Sequence, residues 1–191
     1  MPSPTDRHLV ELVTREGDDA AFCELYRRHV DRVYRIVARI LGPGGEVDDA
    51  VQETFVQVHR SLTRFRGDSL FATWLHRIAV NVTTSALRHR LRETPDPAPP
   101  EPGLDPVDQL EARDELLALY RALDGLPEHN RVAFVLFELE GMPLAELAET
   151  TGVPLQAAAA RLRRARLAIA RALGRGSAAG DPAALTEGDE R

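Results

Sequence analysis

A chain of 191 residues allows one domain or two small ones, and a hydrophobic fraction of 43% excludes wholesale disorder. No apolar run approaches the ~20 residues of a membrane span and the N-terminus lacks a secretory signal pattern, so we expect a cytoplasmic protein without membrane insertion. The net charge of −6 excludes a generally basic chain, although charge is distributed unevenly. The single cysteine, Cys23, cannot form an internal disulfide and is predicted at a buried helix position.

The N-terminal half of the chain contains three segments in which apolar residues recur at three- and four-residue steps, which predicts amphipathic helices. These segments are 22–40, 47–62 and 71–82, and a loop is predicted at 65–69. His29 falls within the first apolar stripe, where a hydrogen-bonded core histidine is a better interpretation than a metal ligand. No segment alternates with period two, so we expect an all-α fold.

A proline-rich, acidic segment divides the chain. Residues 93–108 contain six prolines and five acids, and we predict an extended linker there because proline disfavours helix in the residue before it. The linker separates a domain at 1–92 from a second domain at 109–174. The final residues, 175–191, are small and polar and predict a disordered tail.

The second domain has the spacing of a helix-turn-helix unit. Apolar residues predict helices at 108–123, 126–140, 143–150 and 154–173, and Gly152 supplies a turn between the last two. We therefore expect two small helical domains joined by the linker.

The last predicted helix carries the strongest local charge. Residues 154–176 contain six arginines and no acid, although the whole chain is acidic and has no lysine. Such a helix can place guanidinium groups on phosphates or guanine edges in the major groove of DNA. A solvated charged face and an amphipathic helix on an anionic membrane are the alternatives. We favour nucleic acid, because the helix lacks Trp, Phe and Lys and its apolar face is mostly alanine.

A second segment, 65–92, interleaves aromatic and arginine residues, a combination that suits the faces and phosphates of unpaired bases. The spacing of Phe71 and Trp74 is also that of a helix core, and we favour the core for these two residues. Arg88 and Arg90 follow the core stripe and are expected at the surface.

No motif in the chain carries the chemistry of an enzyme. Phosphate-binding-loop, zinc-protease, serine-hydrolase and dinucleotide-binding motifs are absent, and the six histidines are scattered. Asp48, Asp49 and Glu53 form an acidic helical face, which we interpret as a solvated or protein-binding surface and not as a metal site. We therefore predict no catalytic residue, no cofactor and no metal.

Two long segments carry a resemblance to a known family. The segments LYRRHVDRVYRIVARILG and VDDAVQETFVQVHRSLTRFRGDSLFATWLHRIAVN resemble region 2 of bacterial RNA polymerase sigma factors of the extracytoplasmic-function group. The segment LPEHNRVAFVLFELEGMPLAELAETTGVP, followed by RLRRAR, resembles region 4 of the same group. The similarity covers about 20–90 and 115–173, and its DDAxQETF, FRGDSxFxTWLxRIAxN and LPExxR elements are jointly specific.

The resemblance implies a sigma factor that binds core RNA polymerase, at the β′ clamp helices and the β flap, and opens promoter DNA at the minus-ten element. It also implies an anti-sigma factor as a partner. The implied polymerase contacts are Asp48, Asp49, Gln52, Glu53 and Phe55. The implied minus-ten contacts are Phe65, Arg66, Arg77, Asn81, Arg88 and Arg90. The implied minus-thirty-five contacts are Gln156, Arg161, Arg163, Arg164 and Arg166.

The start of the recognition helix departs from the family pattern GTVKSRLxRAR. Ala157, Ala159 and Ala160 stand in place of Thr, Lys and Ser, and Ala158 stands in place of a bulky apolar residue. Ser85 occupies a position at which the family usually has an acid. We expect weakened or altered minus-thirty-five readout with polymerase binding intact. The alternatives are a diverged sigma-like protein that reads the upstream element poorly, and an interaction protein that binds polymerase or an anti-sigma factor without initiating transcription.

Overall fold

The computed structural model of the chain describes residues 4–42, 46–93 and 110–174, and no strand occurs within those ranges. The all-α prediction is confirmed. The predicted linker, 93–108, and the predicted tail, 175–191, lie outside the described residues, except for the first residue of the linker, where a helix ends.

The described helices form two compact units. The first unit consists of α1 (Asp6–Glu16), α2 (Asp19–Leu41), α3 (Val47–Ser61) and α4 (Phe71–Glu93), with a 3-10 turn, Leu62–Arg64, after α3. The second unit consists mainly of α5 (Leu110–Asp124), α6 (Glu128–Phe134), α7 (Leu144–Thr151) and α8 (Leu155–Ala172), with a π turn, Val135–Leu139, after α6.

Helix α2 is the centre of the first unit, because α1, α3 and α4 all pack against it. On its apolar stripe, Leu25, Val33 and Ile36 are at most 1% exposed. The helix begins after Asp18, whose carboxylate accepts two hydrogen bonds from backbone N–H groups of the first turn. It ends at Gly42, whose positive φ of 74° stops the helix where the glycine-rich sequence predicts.

Helix α1 is absent from the sequence predictions. Thr5 caps it by accepting a hydrogen bond from the backbone N–H of His8 at 3.3 Å, and Gly17 ends it with a φ of 67°. A helix of 11 residues is marginal by itself in water. The burial of Leu9 and Val10 and the packing of α1 against α2 supply the stability that local propensity lacks.

In the second unit, α5 and α6 both pack against α8. The buried face of α8 consists of Ala158, Leu162, Ala165 and Ile169, which share one side of the helix through three- and four-residue steps. The small size of Ala158, which is fully buried, fits a close approach of the helices.

The prediction of one regular helix over 126–140 is wrong in its last turns. Helix α6 ends at Phe134, and the chain continues through a π turn in which the N–H of Glu140 donates to the carbonyl of Val135 at 3.0 Å. Gly141, with a φ of 65°, then stops the helix as predicted.

Helices α7 and α8 form the predicted helix-turn-helix. Gly152 has a φ of 65°, a backbone conformation that favours glycine, and it separates the two helices. The N–H of Val153 donates to the carbonyl of Ala148 at 3.0 Å, which closes the turn.

Candidate functional site

A groove of about 650 Å³ runs along α2 and α3 in the first unit. Its walls contain aromatic side chains, and the rings of Tyr26 and Phe55 meet at 4.6 Å between centroids. Tyr26 and Tyr34 are 43% and 45% exposed, although large aromatic side chains usually lie in a core or an interface. The groove therefore combines an apolar wall with access from solvent, as a surface that receives another protein does.

Three of the residues predicted to contact polymerase line this groove, namely Asp48, Gln52 and Phe55. Asp49 and Glu53 are exposed and follow on the next ridge of α3, four residues apart. The four polar residues are exposed, whereas Phe55 is 6% exposed and belongs to the core beneath the groove. The structure therefore places Asp48, Gln52 and Phe55 in the groove, whereas Asp49 and Glu53 are exposed on α3 outside its lining.

The aromatic residues before and within α4 form one cluster. The rings of Phe65 and Trp74 meet at 5.3 Å between centroids, and Phe71 lies 5.8 Å from Phe65 and 5.9 Å from Trp74. Phe71 is 5% exposed, as its core spacing predicts. Phe65 and Trp74 are half-buried, so part of each ring is open to solvent beside the loop.

An exposed polar row continues from this cluster along α4. Arg77, Asn81 and Arg88 are exposed and share one side of the helix, at steps of four and seven residues. Arg66 is exposed in the adjoining loop. These six residues are called the aromatic–arginine face below; its members are Phe65, Arg66, Trp74, Arg77, Asn81 and Arg88.

Arg90 has a different setting from the other predicted minus-ten residues. Its guanidinium donates to the carbonyl of Leu41 at 2.7 Å, and its side chain is half-buried. A cation at this position stabilises the negative end of α2 and supplies a partner to one of its last carbonyl groups. The geometry of Arg90 is therefore that of a helix-capping residue.

The outward side of α8 carries Gln156, Arg163 and Arg164, all of them exposed. Arg161 is half-buried. Arg166 points back to the π turn, where its Nε donates to Glu138 Oε1 at 2.5 Å.

The ring of Phe137 also contacts the side chain of Arg166. The guanidinium carbon lies 5.3 Å from the centre of this ring, within the range of a cation–π contact. The predicted minus-thirty-five set thus consists of three outward residues, the half-buried Arg161, and Arg166, which connects α8 to the π turn.

The sequence pattern places Phe22 and Tyr26 in the apolar stripe of 22–40, and it predicts neither the groove that these residues line nor the exposure of Cys23. Phe22, Tyr26 and Tyr34 follow steps of four and eight residues, a row that diverges from the core stripe and could have been recognised by that periodicity. The prediction of a buried Cys23 is wrong, because this side chain is exposed on α2.

In the described part of the chain, no three His, Cys, Asp or Glu side chains are grouped so that they could hold a metal ion. Among the described helices, none combines the length and the apolar character that crossing a membrane requires.

Comparison with known families assigns both units. The Sigma-70 region 2 family matches residues 25–93, and the Sigma-70, region 4 family matches residues 116–169. The ECF RNA polymerase sigma-E factor of Escherichia coli K12 is 36% identical over 183 residues, which cover 86% of this chain and 92% of that protein. The chain belongs to the extracytoplasmic-function group of the sigma-70 family. It is a sigma factor that binds core RNA polymerase and directs promoter-specific transcription initiation.

Other relatives agree with this assignment. The RNA polymerase sigma-H factor of Pseudomonas aeruginosa is 34% identical over 181 residues, which cover 88% of this sigma factor and 93% of that protein. CnrH, solved in complex with the cytosolic domain of CnrY, is 28% identical with a TM-score of 0.67, and the match covers 90% of this chain and 99% of CnrH. The sigma factor RpoE of Bartonella quintana, solved in complex with the anti-sigma factor NepR, shares the fold at 20% identity, with a TM-score of 0.64 and coverage of 82% and 98%.

Proposed function

We propose that this sigma factor uses three surfaces, two that contact promoter DNA and one that binds the polymerase. The aromatic–arginine face captures the unpaired minus-ten strand, the groove between α2 and α3 with the exposed acids of α3 binds the polymerase, and the outward side of α8 contacts the minus-thirty-five element. The observation that carries the proposal is the pair of half-buried rings of Phe65 and Trp74 at the end of an exposed row of arginine and asparagine side chains. Aromatic rings beside guanidinium groups are the combination that binds unpaired bases.

Strand capture by this face offsets much of the free-energy cost of local opening. Extruding a base costs a few kcal/mol, and stacking a base on an aromatic side chain contributes about 1–3 kcal/mol. Phe65 and Trp74 can therefore offset much of the unpairing cost, and the arginines add phosphate contacts. Opening needs no covalent step by this chain, so we propose that the protein is not an enzyme and acts in the cytoplasm, where polymerase and chromosome are located.

The polymerase surface is proposed on charge and shape. Asp48 lines an apolar groove, and the acids Asp49 and Glu53 are exposed on the same helix. Such a surface fits a basic helical partner with apolar ridges, as implied for the β′ clamp helices. A second contact, between the region 4 unit and the β flap, follows from the family resemblance.

A titration against core RNA polymerase tests the polymerase surface. The experiment compares the labelled wild-type chain with the Asp49→Ala, Gln52→Ala, Glu53→Ala triple variant. At about 1 kcal/mol for each lost polar contact, the triple variant is expected to bind roughly 100-fold more weakly. A matched variant, Glu11→Gln with Glu16→Gln, removes two charges from α1 and is expected to bind like the wild type.

Two outcomes contradict the proposed surface. If the triple variant binds core polymerase as tightly as the wild type, these residues of α3 are not the docking site. If the α1 control loses affinity equally, net charge and not the groove determines binding.

The alternative of an interaction protein that does not initiate transcription has one observation in its favour. Ala157, Ala159 and Ala160 leave Gln156 as the one polar residue without charge in the first turns of α8. Run-off transcription from a promoter selected by the holoenzyme distinguishes the two functions. Transcript formation excludes the alternative, and polymerase binding without a transcript supports it.

We also propose an anti-sigma factor as a partner. The support is that CnrH, a structural relative at 28% identity, was solved with the cytosolic domain of CnrY. Co-expression with candidate partners and competition against core polymerase tests this proposal. A partner that binds this chain without lowering its affinity for core polymerase would not act as an anti-sigma factor, and that result would contradict the proposal.

A further inference from the structure

The side chain of His29 connects the first residue of α1, Asp6, with the first residue of α4, Phe71. Its Nε2 lies 2.8 Å from Oδ2 of Asp6, the first residue of α1. Because a carboxylate only accepts hydrogen bonds, the Nε2–H of His29 is the donor. On its other side, the imidazole ring meets the ring of Phe71 edge-on, with centroids 5.3 Å apart. The side chain is 14% exposed, so both contacts are largely shielded from water.

Phe71 connects His29 to the aromatic–arginine face. It is 5% exposed and touches both Phe65 and Trp74, the two half-buried rings proposed to stack on unpaired bases. Phe71 is also the first residue of α4, so its position sets where the loop ends and the exposed row begins. Any displacement of His29 is therefore transmitted to the rings that face the promoter strand, because packed interiors do not absorb such shifts.

Asp6 is itself held in place by Arg28. The guanidinium NH1 of Arg28 donates to Asp6 Oδ1 at 3.2 Å and to the carbonyl of Pro4 at 2.6 Å, and its Nε donates to Glu24 Oε1 at 2.7 Å. The hydrogen bond from Arg28 is the chief reason that the pKa of Glu24 is lowered, against the opposing effect of desolvation. The start of α1 is thus fixed at two points of α2, one at Arg28 and the other at His29.

We propose that α1 is a positioning element for minus-ten recognition, in which Asp6 fixes His29 and His29 fixes Phe71 and the aromatic–arginine face. His29 is a positioning residue, since it reaches the promoter strand only through Phe71. This inference rests on the proposed role of the aromatic–arginine face in strand capture.

The test compares two properties of holoenzymes assembled with each variant. The first is affinity for core RNA polymerase. The second is affinity for one fluorescein-labelled single strand, selected from a random pool by the wild-type holoenzyme. The variants are Asp6→Ala, which removes the acceptor, and His29→Phe, which keeps a ring against Phe71 but removes the hydrogen bond. The matched control is Glu11→Ala, which breaks the exposed Arg7–Glu11 ion pair on the same helix.

Asp6→Ala and His29→Phe are each expected to weaken strand binding about tenfold, the equivalent of losing much of one stacked base, with core affinity changed less than about twofold. Glu11→Ala is expected to change neither. The variant that carries both changes is expected to bind the strand no more weakly than the single variant with the lower strand affinity, because both changes break the same connection.

Three results overturn the inference: strand binding equal to the wild type in both variants, parallel loss of core and strand affinity, or equal loss in Glu11→Ala. If a variant has lost its fold, the helix content of the free protein, measured by circular dichroism, reveals it and the other variant decides. Failure of the proposed function is recognised separately. If the proposed function is wrong, Arg66→Ala and Asn81→Ala, each made in the otherwise wild-type chain, bind the strand as tightly as the wild type. If only the further inference is wrong, these two variants still bind the strand more weakly than the wild type.

Discussion

His76 makes the stability of the first unit depend on pH. The side chain is fully buried in α4, and its pKa is lowered from 6.5 to about 4, chiefly because burial desolvates the charged form. The nearby positive charge of Arg32 and the neighbouring His29 lower it further.

The sign and size of the effect follow from proton linkage. A lowered pKa means that the unfolded chain binds a proton more readily than the folded chain, so stability falls as the pH falls. Between pH 7 and pH 5, protonation of the unfolded state at 6.5 against about 4 in the folded state costs about 2 kcal/mol. Below pH 4 the loss approaches about 3 kcal/mol.

Urea unfolding at pH 7, 6 and 5 measures this loss, and Trp74, the single tryptophan, reports on the first unit. His76→Leu and His76→Gln remove the titrating group while the other ionisable residues stay. The wild type is expected to lose about 2 kcal/mol more than either variant between pH 7 and pH 5. If both variants lose stability with pH as steeply as the wild type, His76 is not the group responsible and the reasoning is refuted.

Two further predictions concern the second unit. Ala157→Thr, Ala159→Lys and Ala160→Ser together are expected to tighten binding of duplex promoter DNA, and to steepen the dependence of log affinity on log salt by ~0.9 for each phosphate contact regained. A salt series with unchanged slope and affinity would show that these positions do not face DNA. Asp124→Ala is expected to destabilise the protein by about 1.5–3 kcal/mol, the range for a hydrogen bond to a charged group, because Arg131 is 3% exposed and donates to Asp124 at 2.5 Å. Helix content followed by circular dichroism during urea unfolding checks this value, and an unchanged curve would contradict it.

Long apolar stripes made most of the helices predictable from the sequence. Short helices and features that depend on tertiary packing were not predictable in this way. The stripe at 22–40 predicts α2 because every third or fourth residue is apolar over five turns or more. Helix α1 has 11 residues, too few for a long apolar stripe, and its stability comes from packing on α2. The π turn after α6 leaves no periodic signature, since it changes the hydrogen-bond register and not the residue types.

In the candidate site, too, features set by a single helix were predictable and contacts between helices were not. Helical periodicity correctly separated exposed Arg88 from buried Phe71, because one helix determines that difference. It could not anticipate that Arg90 caps α2 or that Arg166 pairs with Glu138, because these partners lie 49 and 28 residues away in the sequence. Contacts of this range depend on how helices pack, which a local pattern does not contain.

The outward side of α8 has a consequence for regulation. Its cations are all arginine, and a guanidinium stays protonated throughout the physiological pH range and is not a substrate for lysine acetylation. Neither a rise in pH within the physiological range nor acetyl transfer to lysine can therefore discharge this surface. The proposed upstream contact would still respond to ionic strength and to molecules that cover the helix, so this surface is suited to regulation by sequestration.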